Sequence, residues 1–140
     1  MVWNELSELC RVGVDLYKYH RNKEAFDSFR LAAKLGSANA MLNLGECYFL
    51  GLGTVVDYNK MFDCYCDAAE AGCVSALLRV AECYMNGWGT VQNTEYGRQI
   101  LRQAKDRGDE EAAQLYRFYC EPQTTEEWMQ IADDILRKRK

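Results

Sequence analysis

The stretch that decides the fold is residues 46–54, ECYFLGLGT, which returns almost unchanged 36 positions later as residues 82–90, ECYMNGWGT. Each stretch reads as the end of a helix followed by two glycines with one residue between them. Glycine accepts the left-handed backbone conformation that ends a helix and satisfies its last carbonyl groups. The recurrence therefore predicts that one helix end and one turn are built twice, at a fixed distance along the chain.

The period of 36 residues extends beyond these two stretches. Two complete copies start at residues 38 and 74, and each holds two helical patterns separated by the glycine turn. Matches in register over three copies indicate internal repeats rather than a coincidence of composition. The positions that align at this period are Gly36, Gly72 and Gly108, together with Ala40, Ala76 and Ala112.

The first helical pattern of each copy has its small and apolar residues at spacings of three and four, so that they share one face of a helix. Such a face has to be buried. Asp57 and Asn93 stand where an N-cap acceptor opens the second helix, which we expect to end at Gly72 or Gly108. Each copy is therefore predicted to be a helix hairpin. The predicted buried faces are Ala40, Leu44, Cys47 and Tyr48 in one copy and Ala76, Val80, Cys83 and Tyr84 in the other.

The flanking sequences extend the same architecture into one predicted domain over residues 1–140. Residues 1–36 are predicted to form a variant hairpin with the short connection KYHRN, and residues 109–121 a partial repeat with only a first helix. The two complete repeats between them have predicted boundaries at 37–72 and 73–108.

A last helix is predicted over residues 124–140, after Pro122 interrupts the preceding helix. Thr124 and Glu127 form a capping box at its start. Terminal repeats need a polar outer face, and this helix is therefore predicted to cap the stack. The apolar residues expected to point inward are Trp128, Ile131 and either Ile135 or Leu136.

The pattern Ala-x-x-x-Leu-Gly-x-x-Tyr-x-x-Gly-x-Gly, followed by Asp and then by Ala-Ala-x-x-Gly, resembles the Sel1-like repeat, a relative of the tetratricopeptide repeat (TPR). The resemblance covers residues 8 to 120 and is specific in the two central copies, whereas the first hairpin is more similar to a TPR unit. It implies an all-α fold, a right-handed α–α superhelix of the Sel1-like or TPR-like solenoid type with a C-terminal capping helix. The chain departs from the repeat consensus at Thr54, Cys64, Ala81, Thr90 and Ile100, none of which removes a feature that the hairpin requires.

Composition limits the classes of partner. The chain carries 21 acidic and 17 basic side chains, and its formal charge of −4 gives no long-range attraction to nucleic acid or to an anionic membrane. No apolar run approaches the roughly 18 residues that a membrane span needs, and the N-terminal MVWNELSELC is acidic where a signal peptide is basic. We therefore expect a cytoplasmic protein with no nucleic-acid partner and no membrane insertion.

Catalytic and metal-binding motifs are not found in the sequence. The seven cysteines lack the CxxC spacing of a zinc site or a thioredoxin-type pair and are predicted to be buried free thiols. His20, the only histidine, lies in the short turn without a nucleophile motif nearby. The glycine turns follow a helix rather than a strand, which argues against a phosphate-binding loop. We expect no catalytic residue, no metal site and no cofactor.

The resemblance raises one enzyme-like possibility. Cysteine-rich secreted members of this repeat group, which bind beta-lactams, staple each hairpin with regularly placed cysteine pairs. Cys66 and Cys73 do not match that placement and have no counterparts in the next copy. This possibility is therefore disfavoured.

The resemblance also implies a binding groove, because the first helix of each such hairpin lines a concave wall. Phe49 and Met85 are its predicted apolar anchors, and Glu46 and Glu82 its stacked charged residues. Alternatively, some of the inward positions fill the core or contact the last helix. The predicted groove residues are Tyr17, Asn39, Leu42, Glu46, Phe49, Ser75, Leu78, Glu82, Met85, Gln114 and Phe118.

A groove of this kind predicts a non-enzymatic adaptor or scaffold for protein–protein interaction. Its partner would be a peptide-like or helical protein segment with apolar anchors and Lys or Arg. The alternative is a cognate inhibitor, such as an immunity protein that neutralises a toxin or effector, because Sel1-like repeats occur in that setting too. A very tight stoichiometric complex would favour the inhibitor, and micromolar exchangeable binding would favour the adaptor.

Overall fold

The structure, a computed structural model, describes residues 3–121 and 124–138, with side chains from Ser7 onward. This part of the chain is all-helical and contains no strand. The predicted all-α class is confirmed. Its eight helices are α1 (Trp3–Lys18), α2 (Asn22–Lys34), α3 (Ala38–Leu50), α4 (Tyr58–Glu70), α5 (Val74–Asn86), α6 (Thr94–Asp106), α7 (Glu110–Cys120) and α8 (Thr125–Lys138).

The predicted helix ends are confirmed in both complete hairpins. Gly51 and Gly87 end α3 and α5 in the left-handed conformation, with φ of 74° and 72°. Asp57 Oδ1 accepts from the Lys60 N–H at 3.1 Å, and Asn93 Oδ1 accepts from the Tyr96 N–H, also at 3.1 Å. These acceptors satisfy backbone donors that the first turn of a helix leaves unpaired.

The second glycine of each turn lies where there is no room for a side chain. A Cβ on Gly53 would stand 2.3 Å from the carbonyl oxygen of Asn22, and one on Gly89 would stand 2.1 Å from that of Tyr58. Asn22 and Tyr58 are the first residues of α2 and α4. Each glycine turn therefore packs directly on the backbone of the preceding hairpin, and this contact joins successive repeats.

The chain divides into two compact units, Met1–Gly97 and Arg98–Lys140, and the division falls within α6. In the first unit α1 packs on α2, α2 on α3, α3 on α4 and α4 on α5. The prediction that all repeats form one domain, with the boundaries given above, stays a prediction.

The core of the first unit contains most of the side chains predicted to be buried. Tyr48 and Tyr84 are only half-buried, so the predicted buried faces are narrower than expected. All seven cysteines are free, but only Cys47 and Cys83 are buried. The confirmed buried positions are Ala40, Leu44, Cys47, Ala76, Val80 and Cys83.

The second unit confirms the capping box of the last helix. The Thr124 N–H donates to Glu127 Oε2 at 3.0 Å, and the Glu127 N–H donates to Thr124 Oγ1 at 3.1 Å. Pro122 and the last two residues of the predicted helix, 139 and 140, lie outside the described residues.

The expectation that the apolar residues of α8 point inward is wrong for Trp128, Ile135 and Leu136. Trp128 is 56% exposed, and Ile131, Ile135 and Leu136 are 39%, 51% and 58% exposed. Ile131 does line a cavity shared with α7, together with Glu127 and Gln130 on the same side of α8. Because Trp128 and Leu136 lie on another side of the helix, they remain in solvent, and α8 does not present a polar outer face.

Candidate functional site

The first unit holds a pocket with a cavity volume of about 270 Å³. Helices α3, α4 and α5 supply most of its walls, and the turn after α5 supplies one more residue. The repeat positions equivalent residues of α3 and α5 side by side, which is why one pocket receives side chains from both. The lining residues are Glu46, Phe49, Met61, Tyr65, Arg79, Glu82, Cys83 and Trp88.

A shared ion pair forms the polar side of this pocket. Arg79 Nε lies 3.3 Å from Glu46 Oε1, and Arg79 Nη1 lies 2.5 Å from Glu82 Oε1. Arg79 and Glu82 are three residues apart on α5, a spacing that places both on one helix face. Two carboxylates, from α3 and α5, thus share the guanidinium of Arg79.

This ion pair corrects one detail of the predicted groove. Glu46 and Glu82 both contact one cation, which was expected to come from the partner. Arg79 of the chain itself takes that position. The two glutamates are 35% and 15% exposed and Arg79 is 34% exposed, so the whole cluster remains within reach of a partner.

Two further polar groups in the pocket are held neutral. Burial and the neighbouring Glu46 carboxylate raise the pKa of Tyr65 well above its usual value, and the Tyr65 hydroxyl donates to Glu46. Burial, with smaller contributions from Cys66 and Glu82, raises the pKa of the Cys83 thiol to about 12. A nucleophilic cysteine is a thiolate, and Cys83 is protonated at neutral pH.

Aromatic rings form the apolar side. The ring centroids of Phe49 and Trp88 are 5.2 Å apart, those of Phe49 and Tyr58 are 5.7 Å apart, and those of Tyr58 and Trp88 are 6.2 Å apart. These separations lie in the range of favourable aromatic pairs. Three segments of the chain, α3, the start of α4 and the turn after α5, thereby contribute to one aromatic wall next to the acidic cluster.

The other predicted groove residues are distributed differently. Tyr17, Asn39 and Ser75 are exposed but do not line the pocket, and Leu42 is half-buried. Gln114 and Phe118 belong to the second unit, where both are exposed. Whether these residues contact a partner stays a prediction.

Leu78 and Met85 were expected to be exposed in the groove, and this expectation is wrong. Leu78 is fully buried and Met85 is 8% exposed. Met85 is buried because Gly97, on α6, has no side chain: its Cβ position would lie 2.7 Å from Met85 Sδ. Phe49 is therefore the one predicted anchor that the structure places at the pocket.

Sequence reasoning missed Arg79 and Trp88. Both interrupt the repeat, since the equivalent positions one period earlier hold Asn43 and Leu52. The spacing of three between Arg79 and Glu82 could have indicated the ion pair. Trp88 could have been noticed as a large aromatic residue between the two turn glycines, Gly87 and Gly89, where a small or aliphatic residue would suffice for the turn.

The described residues contain neither a metal-binding cluster nor a membrane-spanning helix. Among residues 3–121 and 124–138, no group of three or more His, Cys, Asp or Glu side chains is placed to hold a metal ion. Within the same ranges, no helix has the length and apolar character needed to cross a membrane.

The sequence profile of the Sel1 repeat matches residues 38–73 and 74–109, just over half of the chain. No curated protein matches the chain by sequence.

Solved structures show the same fold. A Sel1 repeat protein from Oxalobacter formigenes is 24% identical, with a TM-score of 0.71 over 81% of this chain and 48% of the other. A protective antigen of uropathogenic Escherichia coli that displays an SLR fold is 29% identical, with a TM-score of 0.69 over 81% of this chain and 26% of the antigen. Cysteine-rich protein B from Helicobacter pylori is 19% identical, with a TM-score of 0.61 over 82% and 97% of the two chains. The chain thus spans less than half of the first two relatives.

Proposed function

Because the chain belongs to the Sel1 repeat family, we propose that it is a non-enzymatic adaptor that binds a protein partner at the pocket between α3, α4 and α5. Sel1 repeat proteins generally mediate protein–protein interaction and are typically non-catalytic scaffolds. The proposal adds a location on this chain and a chemistry for the partner.

The observation that carries the proposal is the acidic cluster beside an aromatic wall. Glu46 and Glu82 present carboxylate oxygens that can accept hydrogen bonds from a cation, while Phe49 and Trp88 offer ring surface next to them. A guanidinium or ammonium group gains attraction from both features, because aromatic faces bind cations and carboxylates accept their hydrogen bonds. We propose that one Arg or Lys side chain of the partner enters the pocket with its apolar stem against the rings.

The partner is then a peptide-like or helical segment that presents this basic side chain next to apolar residues. The exposed Asn39 and Ser75 lie on the same two helices as the pocket residues and extend the proposed contact along the chain. We place this interaction in the cytoplasm. The inhibitor alternative would use the same surface with much tighter binding, and it has no structural observation in its favour.

The test is a selection of random peptides, displayed on phage, against the immobilised chain. We expect enriched peptides to carry Arg or Lys flanked by apolar residues and to bind with micromolar affinity. Phe49→Ala should weaken binding by at least tenfold, a typical cost for a buried aromatic anchor of about 1.4 kcal/mol or more. Glu46→Gln should weaken it less and reduce its salt dependence.

Val55→Ala is the matched control, because Val55 is 82% exposed and does not line the pocket. It should bind like the parent. Peptides without a basic residue, or peptides that bind Phe49→Ala and the parent equally, would show that this pocket is not the partner site. Subnanomolar binding of a natural partner in a one-to-one complex would favour the inhibitor.

A further inference from the structure

The last helix, α8, carries an apolar stripe that nothing in the described residues of the second unit covers. Its four large residues are more than half exposed: Trp128 56%, Met129 63%, Ile135 51% and Leu136 58%. At 3.6 residues per turn these four residues and the exposed Ala132 fall on one side of the helix. Contiguous apolar surface of this kind marks an interaction site.

We infer that α8 pairs, antiparallel, with α8 of a second copy of this chain. This inference does not depend on the pocket in the first unit, because every residue that carries it lies in the second unit.

The order of residues along the stripe fits a two-fold axis at Ala132. Trp128 and Leu136 lie four positions before and after Ala132, and Met129 and Ile135 lie three positions before and after it. In an antiparallel pair centred on Ala132, Trp128 therefore faces Leu136 of the other copy, and Met129 faces Ile135 of the other copy. The smallest side chain stands at the crossing point, where two helices come closest. An isologous interface requires this self-complementarity.

The distribution of charge along α8 favours the antiparallel direction. Its first turn carries Glu126 and Glu127, and its last turn carries Arg137 and Lys138. Antiparallel pairing places the acidic turn of one copy beside the basic turn of the other and also aligns the two helix dipoles favourably. Parallel pairing in register would place acidic beside acidic and basic beside basic turns.

The carboxylate of Asp133 disfavours this dimer. Asp133 is exposed and adjoins the axis, so the two copies bring their Asp133 carboxylates towards each other. Together with the small contact area of a 14-residue helix about 21 Å long, this predicts a weak dimer rather than an obligate one. We expect dissociation in the micromolar range.

The first experiment is sedimentation of the full chain from micromolar to millimolar concentration. The parent chain should show a reversible monomer–dimer equilibrium. Leu136→Glu should weaken the dimer at least tenfold, because it places a charge against the apolar ring of Trp128 of the other copy. Val91→Glu is the matched control: Val91 is 86% exposed and lies outside α8, so its dimer should equal that of the parent.

A loss of folding should not account for this result, because Leu136 and Val91 are both exposed in the monomer. Circular dichroism should give the two variants and the parent the same melting temperature within error. A parent chain that is monomeric at millimolar concentration, or a Leu136→Glu dimer as stable as the parent, overturns the inference.

The second experiment tests the direction of pairing by introducing one cysteine at a time and oxidising mildly. The parent chain, which has seven free cysteines, gives the level of cross-linking due to the native thiols. Ala132→Cys should form a disulfide-linked dimer, since the two copies meet there. Thr125→Cys should not, because antiparallel pairing separates the two Thr125 positions by about 21 Å along the axis. Cross-linking of Thr125→Cys at the rate of Ala132→Cys would show parallel pairing and overturn the register.

The third experiment removes the repulsion at the axis. Asp133→Asn should tighten the dimer about twofold to fivefold at low salt, the scale of an exposed charge interaction, and the gain should shrink as salt is added. A weaker dimer would place Asp133 away from the axis and contradict the pairing.

Discussion

Helices α3 and α5, with the turns that follow them, have the same backbone and different surfaces. Gly51 and Gly87 adopt φ of 74° and 72°. After each turn the chain returns to the helix through one equivalent hydrogen bond, from Asp57 N–H to Tyr48 O at 3.0 Å and from Asn93 N–H to Tyr84 O at 2.8 Å. The repeat is therefore a repeat of backbone geometry.

The surfaces differ because of one position in the following helix. Phe49 and Met85 are equivalent, yet Phe49 lies at the pocket and Met85 lies in the core. The position facing them holds the fully buried Met61 in the first copy and Gly97 in the second. Gly97 leaves space that the side chain of Met85 fills. In the other copy Met61 occupies that space, so the ring of Phe49 stays at the pocket surface. A repeat consensus thus predicts the scaffold but not which equivalent side chain is accessible.

The largest expected effect comes from the glycines that join the hairpins. Gly89→Ala should destabilise the chain by about 3 to 5 kcal/mol, since it combines left-handed strain with a clash. The clash is with backbone: the new Cβ would lie 2.1 Å from the carbonyl oxygen of Tyr58. Gly53→Ala should cost a similar amount, because Asn22 stands in the equivalent place at 2.3 Å. Urea unfolding measures both.

Gly72→Ala is the control for backbone strain without a clash. Its φ is 96°, but no atom beyond its two neighbours in the chain lies within 4 Å of the new Cβ. It should cost only about 1 to 2 kcal/mol. Equal losses in Gly89→Ala and Gly72→Ala would show that the turns do not pack on the preceding hairpin.

The second prediction separates the two equivalent anchors. Met85→Ala should lower the free energy of unfolding by about 2 to 4 kcal/mol, the usual cost of a cavity in a core. Phe49→Ala should lower it less, by about 1 to 2 kcal/mol in total, mostly through the lost ring contacts with Tyr58 and Trp88, because half-buried Phe49 lines an open pocket. Peptide binding should show the reverse order. A larger loss of stability in Phe49→Ala than in Met85→Ala would remove the distinction between the two copies.

Most of the fold was predictable because it depends on short-range signals. Glycine spacing, the acceptors at Asp57 and Asn93, and the box formed by Thr124 and Glu127 act within one helix turn. Such signals can be read without knowing what packs against the segment. The sequence-based prediction failed where the exposure of a side chain depends on a residue that packs against it from another segment.

The exposure of Met85 depends on Gly97, twelve residues away, and the position of the cation between the glutamates depends on Arg79, which has no equivalent in the other copy. The same holds for α8. Its amphipathic pattern indicated that one side of the helix would be buried. Periodicity alone does not show whether that side packs against the same chain or against another one.

The smallest expected effect tests the first hairpin, whose short turn has no glycine at the corresponding bend. His20 adopts φ of 61°, and α1 ends there through bonds from His20 N–H to Tyr17 O and from Arg21 N–H to Leu16 O. A non-glycine residue in this conformation carries strain of about 1 kcal/mol. His20→Gly relieves that strain and loses part of the gain to the greater freedom of glycine in the unfolded chain. The exposed imidazole contributes little that is lost. The net effect should be a stabilisation of about 0.5 kcal/mol, opposite in sign to Gly89→Ala at nearly the same φ.

The control is Tyr19→Gly, at an exposed neighbouring residue without positive φ. It should destabilise the chain slightly, because glycine has the larger conformational entropy in the unfolded state. Thermal and urea unfolding of the two variants decide the point: if His20→Gly melts below the parent, the imidazole holds the turn through contacts that its conformation does not reveal, and left-handed geometry is not the property that the three turns share.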